Sequence, residues 1–304
     1  MLVSQRLSFQ NASDSDIIAL MENECHRASF GADGGFGNLN RLIVCDIDNT
    51  LLPAGGSISK TTLQALADLD PDTGFSIATG RSYHVVRKFV ADFHLTLPVI
   101  TSNGAQLYDY ENERSVFEHL IPINSSRRLI ARLLRDGFDF VAYSDIGIYH
   151  RPESEHLAFF HNYNHSVPEA LRANMIPLQE EDLSGFSWNI TKILVYFPTP
   201  ELISDLRKWK SLEVTSSMPH VIDIMASGAT KGAAVVALSE HLHIPLSQVY
   251  CFGDNENDVS MFTCGAVGIA MGNATDEVKS KASFVTKSCV EDGVAWAIKK
   301  NLFQ

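Results

Sequence analysis

Arg41-Leu42-Ile43-Val44-Cys45-Asp46-Ile47-Asp48-Asn49-Thr50 is the stretch from which the fold of this chain can be read. A short, uninterrupted apolar run over 42–45 ends abruptly on two aspartates. Apolar strands without alternation are buried on both faces, as in a parallel sheet covered by helices. Polar residues just past the C-terminal end of such a strand lie where open α/β sheets bind their ligands.

The same pattern recurs outward from there. Ser59 is placed to cap a helix carrying Leu63, Leu66 and Leu69. The apolar run 75–78 leads into Thr79-Gly80-Arg81, and Val85, Val86, Phe89, Val90 and Phe93 mark the next helix. The run 98–100 leads into Thr101-Ser102-Asn103-Gly104, and much later 249–252 leads into Gly253-Asp254-Asn255-Glu256-Asn257-Asp258. Residues 266–270 and 284–285 are weaker strands. Four polar clusters at the ends of four strands predict an α/β fold with a site along one sheet edge.

Between these halves the rhythm changes. Residues 106–110 and 115–121 flank a turn and predict a hairpin, and Leu129, Ile130, Leu133 and Leu134 mark a helix. Strands are expected at 138–143, 147–150, 192–197, 212–216 and 221–225, with a helix over 200–209. This predicts an inserted α+β domain, residues 108–224, on a core made of 41–107 and 225–304. Residues 151–190 show no clear period. Residues 1–40 read as an N-terminal extension, with Ser15 placed to cap a helix bearing Ile17, Ile18, Leu20 and Met21. The glycines at 34–37 precede a strand instead of following one, so they are not a dinucleotide fingerprint.

Composition narrows the function. The 304 residues are 45% hydrophobic and 20% charged, which excludes a disordered or fibrous chain. Twenty-four basic against 36 acidic residues give −12, the wrong sign for a nucleic-acid or anionic-membrane binder. No apolar run approaches the roughly 18 residues of a membrane span. The first residues turn polar too early for a signal-peptide core, so a cytoplasmic location is expected. The five cysteines, Cys25, Cys45, Cys251, Cys264 and Cys289, form no CxxC pair, against a disulfide framework or a structural zinc.

Asp46 and Asp48, two apart at a strand end, can lean to one side, and Asp254 and Asp258 bring the acidic count to four. Carboxylates held together repel unless a cation intervenes. Such a set calls for a hard divalent ion with oxygen ligands, most plausibly Mg²⁺. Lys231 opens a helix, where its charge and the free N–H groups can hold a phosphate. Its surroundings lack the spacing of a nucleotide P-loop. An EF-hand is excluded at 254–258 because the sixth loop position is Val259 instead of glycine. His156, His161 and His165 have a spacing that a helix could turn into a metal site, but they read more readily as cap-surface or substrate-facing groups.

Taken together, DIDNTLLP (46–53), SIATGR (76–81), SNGA (102–105), ATKGAAV (229–235) and CFGDNENDVSMF (251–262) resemble the ordered motifs of the haloacid dehalogenase-like phosphohydrolases. More narrowly they resemble the Cof-type members, with a large cap between the second and third motifs. The resemblance implies a Rossmann-like, doubly wound core with an α+β cap. It implies a Mg²⁺-dependent phosphatase of small phosphate monoesters, with sugar phosphates foremost. It makes Asp46 the nucleophile that becomes an aspartyl-phosphate, and Asp48 the general acid and base. Thr79, Gly80, Lys231 and Asn257 would hold the phosphoryl oxygens. The metal would be held by Asp46, the Asp48 carbonyl and Asp254, with Asp258 in support. Arg81 and Asn103 either touch substrate or serve as a surface pair and a turn. Asn49 stands where the family has glycine, and asparagine tolerates the left-handed backbone such a turn needs. The implied partner is a small phosphorylated metabolite, with no nucleic acid or membrane, for a monomer or homodimer. The rivals are a phosphomutase of the phosphomannomutase kind, which would not release phosphate to water, and a non-catalytic phosphate-ligand-binding protein.

Overall fold

The computed structural model describes residues 39–300, apart from 185 and 187. The expected helix after Ser15 and the glycine-rich link lie outside the described residues.

The chain enters the core sheet through β1 (Arg41–Cys45), crosses by the helix Lys60–Ala67 and returns on β2 (Thr73–Ile77), parallel to β1. The Ser59 side chain caps that helix by accepting from the Thr62 N–H. The next helix is not continuous from Val85 as the apolar spacing predicts. A 3₁₀ turn, Tyr83–Val85, precedes the helix Arg87–Asp92. The break coincides with Tyr83 and His84 reaching the backbone carbonyls of Asp145 and Ser144. β3 (Val99–Thr101) joins the sheet edge through a bridge between Ala78 and Ile100.

β3 then pairs antiparallel with β4 (Gln106–Asp109), and β4 with β5 (Arg114–Glu118). Leu107, Val116 and Phe117 pack with Leu42, Val44 and Leu238 of the core. The hairpin therefore belongs by packing to the core, and the change of core falls after β5 instead of at residue 108. Its polar turn looks like a new domain in sequence, but its apolar face continues the edge of β3.

The inserted unit is a six-stranded sheet. It comprises β6 (Asp139–Ser144), β7 (Ile148–His150), β8 (Met175–Pro177), β9 (Ile190–Tyr196), β10 (Leu212–Met218) and β11 (Val221–Ala226), in the order β10-β11-β9-β6-β7-β8. One face carries Phe140, Ile193, Val195, Ile222 and Ile224, packed on the helices Ile123–Arg135 and Pro200–Leu206. The other face carries Val141, Tyr143 and Leu194, packed on Phe160 and Tyr163 of the helix Ala158–Ser166. That helix lies in the stretch without readable period, because Phe160 and Tyr163 are its only buried residues.

The helix Lys231–Leu242 returns the chain to the core, followed by β12 (Val249–Gly253), β13 (Val267–Ala270), β14 (Phe284–Val285) and the helix Gly293–Lys299. The core order is β14-β13-β12-β1-β2, all parallel. Successive side chains of β1 go to opposite cores: Leu42 and Val44 to one, Ile43 and Cys45 to the other. This is why the strand is apolar at every position from Leu42 to Cys45. β1 lies inside the sheet, between β12 and β2, with its C-terminal end at the crevice.

Candidate active site

Asp46 is the first residue beyond β1, and its N–H still extends the ladder by donating to the Phe252 carbonyl at 2.9 Å. Lys231 is the first residue of its helix, which Thr230 caps by accepting from the Ala233 N–H. The Lys231 ammonium donates to Asp46 Oδ1 at 2.7 Å and to Asp258 Oδ1 at 2.6 Å, and all three residues are buried. Asp258 Oδ2 accepts the N–H groups of Asp254 and Asn255 at 2.9 and 3.0 Å. Both oxygens of Asp258 are thus engaged, and it holds Lys231 and the 254–255 turn in one arrangement. Gly253 makes this possible, since a Cβ there would meet the Asp258 side chain at 2.4 Å.

Asp254 accepts from the Thr50 hydroxyl at 3.3 Å and from Asn273 Nδ2 at 3.4 Å. Oxygens of Asp46, Asp254 and Asp258 lie within 4.8 Å of one another, the one such metal-ligating group among the described residues. Burial pushes the Asp46 carboxyl up to about 8, against the pull of Lys231 and with the push of Asp258. Burial and Asp258 push Asp254 up to about 6. Three carboxylates against a single ammonium leave an excess of negative charge in a desolvated space. An oxygen-rich, under-neutralised donor set of this kind fits a hard divalent cation such as Mg²⁺.

Asp48 lies in a different environment. Its side chain is 55% exposed, and Arg81 grips both oxygens, Nε to Oδ2 at 3.0 Å and Nη2 to Oδ1 at 2.6 Å. The Asp48 carboxylate is not in the three-carboxylate group, so its carbonyl alone remains for a metal. The Arg81 guanidinium lies 5.0 Å from the ring centres of both Phe89 of the core and Phe159 of the inserted domain. Asn49 takes φ 60°, the left-handed turn expected of it.

Thr79 is buried and its hydroxyl accepts the Arg81 N–H at 3.2 Å. Asn103, also left-handed at φ 57°, is buried and joins three segments. Its Nδ2 donates to Asp223 Oδ2 at 2.9 Å, and its Oδ1 accepts from Asn257 Nδ2 at 3.0 Å. Asn103 is therefore more than a turn residue. The three histidines do not converge on a metal group. His156 pairs with Asp139 at 2.6 Å and stacks on Tyr196, and His165 Nδ1 donates to the His161 carbonyl.

Sequence reading passed over Lys192 and Asp223, both buried, which reach the site from β9 and β11. A signal was present: each is a lone charge inside an otherwise apolar strand, and the two signs are opposite. Burying one such charge alone would be costly, so a partner is required.

A sequence signature described as haloacid dehalogenase-like hydrolase matches residues 43–298, and the chain belongs to that family. It is a phosphatase of small phosphorylated molecules. It is 30% identical to the 5-amino-6-(5-phospho-D-ribitylamino)uracil phosphatase YwtE of Bacillus subtilis, over 86% of this chain and 98% of that one. It is 27% identical to the pyridoxal phosphate phosphatase YbhA of Escherichia coli, again over 86% and 98%. A solved subclass IIB sugar phosphatase of the superfamily superposes with a TM-score of 0.72 at 27% identity, covering 87% of this chain and all of that one. The parallel core and the inserted cap are those of this family. Among the described residues no helix is long and apolar enough to cross a membrane.

Proposed function

We propose that the protein hydrolyses phosphate monoesters of sugar-like metabolites with Mg²⁺, through an aspartyl-phosphate on Asp46. The observation that carries this reading is the division of labour between the two aspartates of one motif. Asp46 is buried and clamped at 2.7 Å by Lys231, whereas Asp48 is half exposed and reachable by a leaving group. Carboxylates in such unequal environments are suited to unequal roles.

In this scheme an Asp46 oxygen attacks phosphorus and the ester P–O bond breaks. Asp48, entering protonated, gives its proton to the departing alkoxide. Asp48 then takes a proton from the water that attacks the phosphoryl-enzyme, and Asp46 is regenerated as phosphate leaves. The Thr79 hydroxyl, the Gly80 N–H, Lys231 and the Asn257 amide hold the phosphoryl oxygens. Phosphoryl transfer rests chiefly on such positioning and on charge neutralisation. Mg²⁺ would be held by Asp46, the Asp48 carbonyl and Asp254, with Asp258 in support, and would neutralise charge on the transferring group. Arg81 releases Asp48 when substrate arrives and turns to the substrate. The relatives act on a phosphoribityl compound, pyridoxal phosphate and sugar phosphates, which supports a small, hydroxylated or cyclic monoester.

The test separates the aspartates. A nitrophenolate leaves without a proton, whereas a sugar alkoxide does not. Asp48→Ala should therefore give a rapid-mixing burst of about one nitrophenolate per site from p-nitrophenyl phosphate, then slow turnover, with phosphate trapped on the protein by acid. The same variant should scarcely react with a sugar phosphate. No burst and no trapped phosphate, with metal binding intact, would overturn the double role of Asp48.

A further inference from the structure

Lys192 and Asp223 stand on one face of the cap sheet, on adjacent antiparallel strands. Asp223 is opposite Leu194, two residues along β9 from Lys192. Their side chains are 2% and 0% exposed, with Lys192 Nζ 3.0 Å from Asp223 Oδ2. Two further contacts leave the cap. Lys192 Nζ donates to the Gly80 carbonyl at 3.0 Å, and Asp223 Oδ2 accepts from Asn103 Nδ2 at 2.9 Å. Asn103 in turn accepts from Asn257. A continuous, largely buried chain of polar contacts thus runs from two cap strands to three core strand ends. Two of its core members, Gly80 and Asn257, belong to the phosphate cradle described above.

The fit is close. A Cβ on Gly80 would lie 2.8 Å from Asn103 Oδ1 and 3.3 Å from Lys192 Nζ. Burial pulls the Lys192 ammonium below its ordinary value, Asp223 pulls it back, and repulsion from Lys231 adds to the lowering. Its hydrogen bond to the Gly80 carbonyl places the ammonium beside the phosphate cradle. For stability alone a buried ion pair is often no better than apolar residues of similar volume. A role that uses its direction accounts for its presence.

We propose that Lys192 and Asp223 are positioning residues for phosphoryl transfer: docked by the cap, Lys192 fixes the Gly80 peptide through its carbonyl, and Asp223 fixes the Asn257 amide through Asn103. This rests on the phosphohydrolase reading above. The cradle is then complete only with the cap in place, so catalysis is coupled to closure as well as to substrate fit.

The pair predicts a loss shared by all substrates. A residue that selects the leaving group changes one substrate's KM, whereas a residue that aligns the cradle lowers kcat for sugar phosphate and p-nitrophenyl phosphate alike. Asp223→Asn alone leaves Lys192 buried without its counter-charge and can fail to fold, so the deciding variant is Lys192→Met with Asp223→Asn, neutral and close in shape. Its kcat should fall by about a hundredfold on both esters, the scale of a small misplacement of catalytic groups. Competitive inhibition by inorganic phosphate should weaken by at least about tenfold, since the inhibitor binds the same oxygen sites. Thermal unfolding certifies that the variant is folded. A folded double variant with kcat within about threefold of wild type and an unchanged phosphate constant would reduce the pair to cap packing and overturn the proposal. An Asp46→Asn control separates the two failures. If that control is dead while the double variant is normal, this inference alone fails; if the control stays active, the phosphohydrolase reading fails first.

Discussion

The core and the cap place their charged groups by different means. In the core, β1 from Leu42 onward and all of β12 are buried and uncharged, and charge appears just past the last strand residue, at Asp46 and Asp254. In the cap, charge sits within the strands, at Lys192 of β9 and Asp223 of β11, between apolar neighbours. The core positions chemistry by topology, because whatever follows a parallel strand lands in the crevice. The cap positions it by register, because alternation turns 192 and 223 to the face that meets the core. Core residues can therefore be found from the position of a strand end, and cap residues only once the pairing of strands is known.

This contrast can be broken or sharpened by experiment. The largest effect falls on the core edge: Asp46→Asn should reduce turnover by more than about a thousandfold with melting nearly unchanged, since the proposed nucleophile is lost and volume is kept. Activity within about tenfold of wild type would show that the strand end is not where the chemistry lies. Next is the packing beneath that edge. Gly104 has φ +91°, and a Cβ there would lie 2.0 Å from the Thr230 carbonyl oxygen, next to Lys231. Gly104→Ala should cost about 4 kcal/mol in denaturant unfolding, from backbone strain and overlap together. A loss below about 1 kcal/mol would mean the two loops are not pressed together as described.

The excess of carboxylate should show as metal-linked stability. At about a hundredfold over its dissociation constant, Mg²⁺ should raise unfolding stability by about 2–3 kcal/mol, and a chelator should remove that gain. Asp254→Asn should abolish the increment. An increment that persists in this variant would place the metal elsewhere.

The smallest effect tests another cap–core contact. His84 is buried with Nε2–H donating 3.0 Å to the cap carbonyl of Ser144, and burial lowers its pKa from 6.5 to about 4. The unfolded chain takes up this proton more readily than the native one, so the stability is present above pH 6.5 and is lost as pH falls through 4. The loss should reach about 2 kcal/mol by about pH 5. His84→Gln should flatten that slope, measured by denaturant unfolding across the range. An unchanged slope would assign the acid sensitivity to other groups.

How far the molecule could be read from its sequence follows the same division. The parallel strands, the cap on Ser59, the left-handed Asn49 and the convergence of Asp46, Lys231, Asp254 and Asp258 were legible, because each depends on local residue types and on strand ends. The packing of the β4–β5 hairpin on the core was not legible beyond Leu107, since nothing local says which apolar cluster Val116 and Phe117 will join. Lys192 and Asp223 each stand out as a charge within a largely apolar strand, but their partnership could not be read, because it lies in the pairing of β9 with β11, separated by the helix Pro200–Leu206 and β10. Arg81 could be placed near the site but not on Asp48, a contact set by the rotamer of a long side chain.

The position of β1 in the sheet has a consequence for synthesis. Its two neighbours are β2, made soon after it, and β12, made only once the whole cap has been translated. On the ribosome the cap strands β6 to β11 all emerge before β12 exists, so the insertion can fold while the core still has an open edge along β1. The strand that carries Asp46 is thus enclosed late, when residues 249–253 arrive. A chain interrupted just before that point carries Asp46 and an intact cap, yet lacks Asp254 and Asp258, two of the three carboxylates of the acidic group. Premature termination therefore yields an inactive fragment with an exposed strand edge, a natural target for chaperones and proteases.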